Sequence, residues 1–561
     1  MKKSNSLLLL FCVNIVTVFA QDLKTTEVNV VEGFKPTIPE ATRLNENAVF
    51  ADTIKEDRAQ TYEFIESELQ SDYKTKPLKA AKVKDDKIPE LYATKVSLGT
   101  GFRIGSKTSV VHNSLRSKDM SYGIIANHQN SDYKIDSKFA GRSNNNIHLY
   151  SKKISAKHIF ISNLDYYRKA VYTYGLGSEN KNHEGFENNP YYNRFAYTKF
   201  SFSAISKEHD EDKLKHHTTF FVSDLNEFSE NQIHLSTDIS RIVEGYPINL
   251  EIELNDYLNY NSKDLAFESS VVKSFHFFPS TSIAKYGIDF DLGVELHYQM
   301  QLDDNEFEIF PQIKASKELV KGILLVYGGL RHSEHRNTLK SLSDENPYIH
   351  SYGTNQSILA GNNVPQSLET TDSDELFVAM RNVLGKDEVF EGSLAYGEIN
   401  NFAHFIGISN GGYNRFQVNY LVSVWQLHAN ATYDKKINNI ISLNAAADYF
   451  SWDKEVYHKP NFTANLSAPI NLRNKIKVSP SLSYIGKRES VSSLLSEFIF
   501  AAPEYLTLPA QFHANLGVYY NYTQNISAYL QLNNLTNSKQ DIWNSYRKVG
   551  FNGLFGLNYS F

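Results

Sequence analysis

The sequence predicts an all-β protein, a transmembrane antiparallel β-barrel of about 22 strands, with a short and mostly unstructured N-terminal tail. Three observations carry this prediction. The N-terminus has the features of an export signal, a long region alternates apolar with polar residues, and the alternating segments are joined by connections of two lengths. They divide the chain into a signal peptide (1–20), a tail (21–92) and a barrel (93–561).

The first 20 residues have the composition of a secretory signal. Lys2 and Lys3 precede an apolar run that extends to Val18, and the small residue Ala20 stands just before the expected cleavage point. A transmembrane anchor is the alternative, but the run is shorter than the roughly 20 residues that a spanning helix needs. Cys12 is the one cysteine of the chain, so the exported protein is expected to have neither disulfides nor a catalytic thiol.

Residues 21–92 differ in composition from the rest of the chain. They are rich in Lys, Glu and Asp, contain Pro36, Pro39, Pro77 and Pro89, and rarely alternate with a period of two. Mixed charge and low apolar density disfavour a packed core. We therefore expect an extended or disordered periplasmic tail, with a small folded domain as the alternative.

From residue 93 onward the pattern is that of extended strands whose two faces differ. Side chains on a strand repeat every two residues, so strict alternation creates one apolar face. The clearest apolar faces are Phe551, Gly553, Phe555, Leu557, Tyr559 and Phe561; Phe512, Ala514, Leu516, Val518, Tyr520 and Tyr522; and Phe416, Val418, Tyr420, Val422 and Val424. The mean hydropathy is only −0.41, as expected when lipid-facing and lumen-facing residues alternate, and 35 Tyr with 35 Phe could supply aromatic girdles.

Connections between these segments are alternately short and long. Short turns are predicted at 434–436, 471–474 and 523–525, whereas 337–375, 488–510 and 536–549 are longer polar stretches. Outer-membrane barrels have this asymmetry, with short turns in the periplasm and long loops outside. Both barrel ends then lie in the periplasm, which requires an even number of strands; the length allows about 16 to 22. A secreted β-sandwich or propeller is the alternative.

Several residue groups approach known chemical sites, and each has a simpler interpretation. Residues 101–108 are similar to a phosphate-binding loop, but Ser106 breaks the Gly-Lys-Ser/Thr element, so a first strand and turn is favoured. His332, Glu334 and His335, with the distant pair His216 and His217, do not form a zinc pattern and are interpreted as a loop-edge cluster. Glu369, Asp372, Asp374 and Glu375 lack the spacing of a calcium loop and are expected in a solvated outer loop.

These comparisons predict no catalytic residue, no cofactor and no metal ligand, so we do not expect an enzyme. The formal net charge of −6 is mild and its charges are scattered, which gives no support for binding nucleic acid.

The C-terminal third resembles a known family. Residues 525–561 are similar to the closing hairpin of TonB-dependent receptors, including the segment 533–537, the region of Gly550 and a final aromatic strand. Residues 368–433 are similar to the same family. The last strand also resembles the assembly signal of outer-membrane proteins at Gly556, Tyr559 and Phe561, although Leu554 occupies a position that is usually polar.

The resemblance implies an outer-membrane receptor barrel, yet the chain lacks room for the family's plug. A folded plug should need roughly 100 residues, and only about 70 lie between the signal and the first strand. We therefore expect a plugless relative. The segment Glu27, Val28, Asn29, Val30 and Val31 is similar to the short box that contacts TonB.

The partners implied are outer-membrane lipid, the barrel assembly machinery, and TonB or another periplasmic or outer-membrane protein. Two function classes remain open. In the first, the barrel takes up a small molecule across the outer membrane. In the second, it is a non-transporting component of an outer-membrane assembly, secretion or surface complex.

Overall fold

The structure is a computed structural model, and it describes most of the chain from residue 91 onward. The described residues are 91–115, 117–135, 138–175, 192–208, 210, 212–226, 230–259, 270–301, 305–349, 368–410, 413–495 and 504–561. The chain divides into two compact units, residues 1–86 and residues 87–561, and the description below concerns the second. The expected signal and nearly all of the expected tail lie outside the described residues.

Twenty-two strands form one closed antiparallel barrel, which confirms the predicted fold class. The first half of the wall is β1 (Thr94–Phe102), β2 (Ser106–Asn113), β3 (Met120–Ser131), β6 (Arg142–Ile154), β7 (His158–Tyr172), β8 (Tyr192–Ser206), β9 (Lys215–Asn226), β10 (Glu230–Val243), β11 (Tyr246–Asn259), β12 (Ser270–Lys285) and β13 (Ile288–Met300). The second half is β14 (Asn305–Val320), β15 (Leu324–Arg336), β16 (Thr370–Gly385), β17 (Glu388–Asn410), β18 (Tyr413–Lys436), β19 (Ser442–Trp452), the interrupted strand β20 (Phe462–Ser467) and β21 (Ile470–Leu472), β22 (Ile476–Ile485), β25 (Gln511–Asn521), β26 (Ile526–Asn533) and β29 (Asn552–Ser560).

The remaining elements lie in the connections. Three short hairpins are β4 (Lys134–Ile135) with β5 (Lys138–Phe139), β23 (Arg488–Leu495) with β24 (Glu504–Leu508), and β27 (Asp541–Trp543) with β28 (Tyr546–Arg547). A short helix, α1 (Leu339–Glu345), lies in the described part of the connection between β15 and β16. No helix in the described ranges has the length and apolarity to cross a bilayer.

The last strand closes the barrel against the first. β29 pairs antiparallel with β1, from Lys95 opposite Ser560 to Phe102 opposite Gly553. Two backbone hydrogen bonds, each 2.9 Å, join Thr94 to Phe561 at the end of this seam. Closure leaves neither strand with an unpaired edge in lipid, where an orphan backbone group would cost several kcal/mol.

The two faces of β29 are those that the sequence predicts. Phe555, Leu557 and Tyr559 are 51–54% exposed on the outer face, whereas Leu554 and Asn558 are buried on the lumen side. An outer band of large apolar side chains is the surface that a barrel presents to lipid.

The two ends of the barrel differ in their connections. At the turn end, several hairpins close in two or three residues, and Gly245, Gly287 and Gly322 provide the positive φ that such tight turns require. At the loop end lie the longest connections, 173–191, 337–369, 486–510 and 534–551. The predicted short and long connections are therefore found in alternation, although residues 434–436 belong to the end of β18 rather than to the turn that follows it.

The wall changes between β14 and β15. Their ladder begins at Ile313 opposite Leu330 and runs toward the turn end. Pro311, just beyond this ladder, has no N–H to donate, which suits a strand edge. Residues 331–336 of β15 pair with β16 and contact β13 and β14 through side chains: the ring of His332 stacks on lumen-facing Phe310 at 3.6 Å. The loop-end part of β15, residues 331–336, thus lies over the inner face of β13 and β14.

Candidate functional site

A cluster of buried apolar side chains lies at the loop end of the barrel. We call it the loop cap. It combines residues of the loops, Ala140, Tyr174, Leu339, Leu342, Ile349, Leu368, Trp543 and Tyr546, with residues at the upper ends of wall strands, Phe195, Leu225, Phe405, Phe416 and Val418. Because these strands lie in different parts of the wall, one apolar core joins loops across the mouth.

The helix of the cap is fixed to the wall at its N-terminus. The carboxylate of Glu230, the first residue of β10, accepts hydrogen bonds from the backbone N–H groups of Leu339 (2.6 Å) and Lys340 (3.1 Å). Thr338 completes a capping box with Ser341. A carboxylate at this position satisfies backbone donors that a helix leaves free and complements the positive end of its dipole.

Residues that follow the helix are also bound to the wall. The side-chain amide of Asn193 on β8 donates to the carbonyl oxygens of Pro347 and Ile349, both at 2.9 Å. Lys459 forms an ion pair with Glu345. These polar contacts come from opposite flanks of the segment, so they hold it across the mouth.

The hairpin of β27 and β28 forms the other half of the cap. The ring of Tyr546 stacks on Tyr348 with centroids 3.7 Å apart, which brings the two halves into direct contact. The guanidinium of Arg488 donates to the carbonyl oxygens of Ile542 (2.6 Å) and Asp541 (3.1 Å). Arg488 thereby ties this hairpin to the one formed by β23 and β24.

Beneath the cap lies a cavity of about 570 Å³ whose lining is rich in cations. We call it the cationic chamber. Its charged lining residues are Lys107, Arg142, Lys169, Arg547 and Lys548, with Asp344 and Glu345 as the acidic ones. Uncharged polar groups from the wall and from the loop before β29 complete it: Gln129, Asn144, Ser483, His513, Asn515, Gln531, Asn533, Asn534 and Asn552.

The positive charge of the chamber is incompletely compensated. Asp344 pairs with Lys340, and Glu345 pairs with Lys459, so both acids already have cationic partners. Within the described ranges, neither Arg142 nor Lys548 has a carboxylate at ion-pair distance. Burial, together with the charges of Arg142 and Arg488, lowers the pKa of Lys548 to about 8. An anion that enters the chamber would relieve this repulsion and provide the missing partners.

Of the three predicted assembly residues, Gly556 and Tyr559 lie on the closing strand β29, and Phe561 follows its last residue. Gly556 faces the lumen, where a Cβ atom would be 2.3 Å from the ring of Tyr529. Tyr559 lies on the outer face and is paired with Val96 on one side and Ile526 on the other. Phe561 makes the backbone bonds to Thr94 described above. Their role in assembly stays a prediction.

Two expectations about side-chain clusters are wrong in location. His332 and Glu334 do not lie at a loop edge; they are on β15 with largely buried side chains that contact β13 and β14, whereas His335 is exposed. Asp372, Asp374 and Glu375 belong to β16 rather than to a solvated loop, and Glu369 immediately precedes it. The inward course of β15 and β16, which sequence spacing does not encode, explains both differences.

Other sequence predictions have simpler outcomes. Residues 101–108 are the end of β1, a turn and the start of β2, as predicted. His216 and His217 are on β9, and neither belongs to a group of His, Asp or Glu side chains that could hold a metal ion in the described ranges. The segment Glu27, Val28, Asn29, Val30 and Val31 lies outside the described residues.

Sequence reasoning missed the cationic chamber. Its cations come from β2, β6, β7 and the segment around β28, and only the closed barrel brings these parts together. Scattered lysines and arginines in a mildly acidic chain give no local signal, because their neighbours in sequence face lipid or solvent.

A closed barrel of 22 strands with an apolar outer band and a loop cap defines the class: the fold is that of the outer-membrane TonB-dependent receptors. No family model matches the sequence, and no curated protein is similar to it.

Among solved structures, a variant of the ferric enterobactin receptor of Pseudomonas aeruginosa is 12% identical, with a TM-score of 0.58 over 83% of this chain and 80% of the receptor. The siderophore receptor PirA of Acinetobacter baumannii is 11% identical, with a TM-score of 0.59 over 85% and 81% of the two chains. The copper transporter OprC is 10% identical, with a TM-score of 0.58 over 84% and 81%. At these identities the likeness shows the fold alone.

Proposed function

We propose that this protein takes up a small anionic molecule across the outer membrane, and that the cationic chamber is its binding site. The observation that carries the proposal is the pair of uncompensated cations, Arg142 and Lys548, in a cavity inside a closed barrel. Lys548 is partly buried, and a partly buried cation without a carboxylate partner is stabilised when a ligand supplies the opposite charge, whereas Arg142 is exposed and adds a second positive charge to the same cavity. The fold shared with siderophore and copper receptors supports a role in transport.

The loop cap gives the proposed uptake a gate. Cap residues such as Tyr174, Trp543 and Ala140 line the chamber, and we infer that these loops move to admit a ligand from outside. We infer that the cap closes over the bound anion and shields it from water, which strengthens its interaction with Arg142 and Lys548.

The proposed cellular setting follows the resemblance. The protein would reach the outer membrane through its N-terminal signal, be inserted by the barrel assembly machinery and face lipid with its apolar band. TonB, through residues 27–31, or another periplasmic or outer-membrane protein is the candidate for driving the cap open.

The test measures anion binding to the purified full chain by titration calorimetry, with citrate as a small polyanionic probe and glycerol as a neutral one. We expect saturable binding of citrate and none of glycerol. Arg142→Gln or Lys548→Gln should weaken citrate binding about 10-fold or more, because each removes a charged hydrogen bond worth roughly 1.5–3 kcal/mol.

Lys118→Gln is the matched control, since it removes one positive charge from an exposed turn between β2 and β3. It should leave the affinity unchanged. The proposed site is wrong if Arg142→Gln and Lys548→Gln both bind citrate as tightly as Lys118→Gln. It is also wrong if glycerol binds as well as citrate.

A further inference from the structure

A cluster of histidines and carboxylates lies on the lumen side where the β14–β15 ladder ends. Nδ1 of His297 on β13 is 2.6 Å from Oε1 of Glu334 on β15 and 3.9 Å from Oε2 of Glu308 on β14. The three ligand atoms all lie within 4.8 Å of one another. Nε2 of His332, also on β15, is 3.5 Å from the same oxygen of Glu334.

His332 is oriented as a metal-binding histidine is. Its side chain is 1% exposed, and the stacked ring of Phe310 fixes its plane. Nδ1 lies 2.9 Å from a carboxylate oxygen of Asp374, and the opposite ring nitrogen, Nε2, faces Glu334. That buried Nε2 has no hydrogen-bond partner within the described part of the chain. A carboxylate behind a histidine is the usual outer partner at metal sites.

We propose that His297, His332, Glu308 and Glu334 form a site for a divalent transition-metal ion of the zinc type. Two imidazole nitrogens and two carboxylate oxygens suit such an ion. In a tetrahedral zinc site the ligand atoms are roughly 3.4 Å apart, and the observed separations of 2.6, 3.5 and 3.9 Å lie on both sides of this value. His297, Glu308 and Glu334 already place their ligand atoms within 4.8 Å of one another, whereas His332 approaches this group at Glu334 and would have to move further in to become the fourth ligand.

The ion would join parts of the wall that lack backbone pairing. Residues 331–336 of β15 contact β13 and β14 through side chains, beyond the end of the β14–β15 ladder. A metal with ligands on all three strands would replace the missing ladder with coordinate bonds. The site thus has a structural role and is separate from the cationic chamber, whose lining contains none of its four ligands.

A second group in the lumen is a weaker candidate. Glu251, Glu253 and His276 also place ligand atoms within 4.8 Å of one another, but they offer one nitrogen, and all three are only partly buried. Nε2 of His276 is 2.8 Å from Glu295, which engages it with a carboxylate outside the group. The variants below therefore address the first group alone.

The experiment titrates zinc chloride into the chelator-treated full chain, with calorimetry for affinity and thermal unfolding for stability. We expect one tightly bound ion and a higher unfolding temperature in its presence. His332→Asn and Glu334→Gln should weaken zinc binding by at least 10-fold and abolish the thermal shift. Asp374→Asn should weaken binding about 10-fold as well, because it releases the orientation of His332.

His335→Asn is the matched control, because this neighbouring histidine on the same strand is exposed. Glu308→Gln, on β14, serves if the variants on β15 do not fold, and heat-modifiable migration on gels establishes folding for each protein. The proposal is overturned if the full chain binds no zinc at micromolar concentration, or if folded Glu308→Gln or Glu334→Gln binds zinc as tightly as His335→Asn.

Discussion

Two glycines at the seam of the barrel leave room for a tyrosine side chain in the lumen. Gly556 and Gly99 face each other across the seam, and the side chain of Tyr529 lies over both. A Cβ atom at Gly99 would be 2.5 Å from the Tyr529 hydroxyl, and one at Gly556 would be 2.3 Å from its ring. The residue that resembles an assembly signal therefore has a packing role of its own.

We predict that Gly556→Ala lowers the yield of folded barrel, because the new methyl group displaces a buried ring next to the seam. Overpacking of this kind costs about 1–3 kcal/mol. Gly517→Ala, on β25, is the control, since its Cβ would meet only ordinary contacts, the nearest 3.6 Å from the ring of Tyr519. Heat-modifiable migration and the unfolding temperature measure the effect. Equal behaviour of the two variants would contradict this role.

At the scale of elements, a buried histidine joins residues of the loop cap to the hairpin of β23 and β24. Nδ1 of His458 lies 2.9 Å from the carbonyl oxygen of Phe405, and Nε2 lies 3.0 Å from the hydroxyl of Ser490. Its ring is also 5.2 Å from that of Trp543. Burial, reinforced by the nearby charges of Arg488, His404 and Lys459, lowers the pKa of His458 to about 4.

This pKa predicts that the cap loosens in acid. A histidine released from the cap titrates near 6.5, so between about pH 6.5 and 4 the open form binds a proton that the closed form does not. The stability contributed by neutral His458 is complete above this window and is lost as the pH falls through it, by about 2 kcal/mol at pH 5. The loss of cap stability is measured by hydrogen exchange of residues 453–461 and 541–547, corrected for intrinsic rates.

His458→Gln is the control for this prediction, because an amide does not titrate in this range. Exchange in the variant should depend less on pH between 7 and 5 than in the unmodified protein, and the remainder should come from buried His404, whose Nδ1 accepts a hydrogen bond from the Tyr457 N–H. If the unmodified protein and His458→Gln become less protected to the same extent at pH 5, another group controls the cap.

At the scale of the whole molecule, the wall is complete from residue 94 to residue 560. Its 22 strands close through β1 and β29, and the compact unit that contains them begins at residue 87. Lumen, cap and chamber are all built from residues of this unit. The 22-strand wall therefore closes without a strand from before residue 94.

We predict that a chain in which residue 20 is joined directly to residue 93 still inserts into the outer membrane as a folded barrel. Because the loop cap in the described part of the chain contains only barrel residues, we expect the shortened chain to be permeable to large antibiotics to within a few-fold of the full chain. Fractionation, heat-modifiable migration and antibiotic sensitivity are the measurements. If only the full chain folds, residues 21–92 are a structural plug, and the interpretation of the tail as dispensable is wrong.

The sequence by itself determined the barrel and much of its order along the chain. Alternation with a period of two is a local property, so β29 with its outer Phe555 and Tyr559 could be predicted residue by residue. The contrast between short turns and long loops is equally local. It predicted an even strand number near 22 and a final strand that ends at the barrel's seam.

Only the tertiary structure decided what lies inside the wall. The alternation at Phe416 and Val418 predicted a strand, but the loops that cover it turn this apolar face into the cap rather than toward lipid. Arg142 and Lys548 meet in one chamber, and His297 meets His332 and Glu334, because the closed barrel and the inward β15 bring distant strands together. Contacts of this kind depend on closure and on a break in one ladder, and no residue spacing along the chain encodes either.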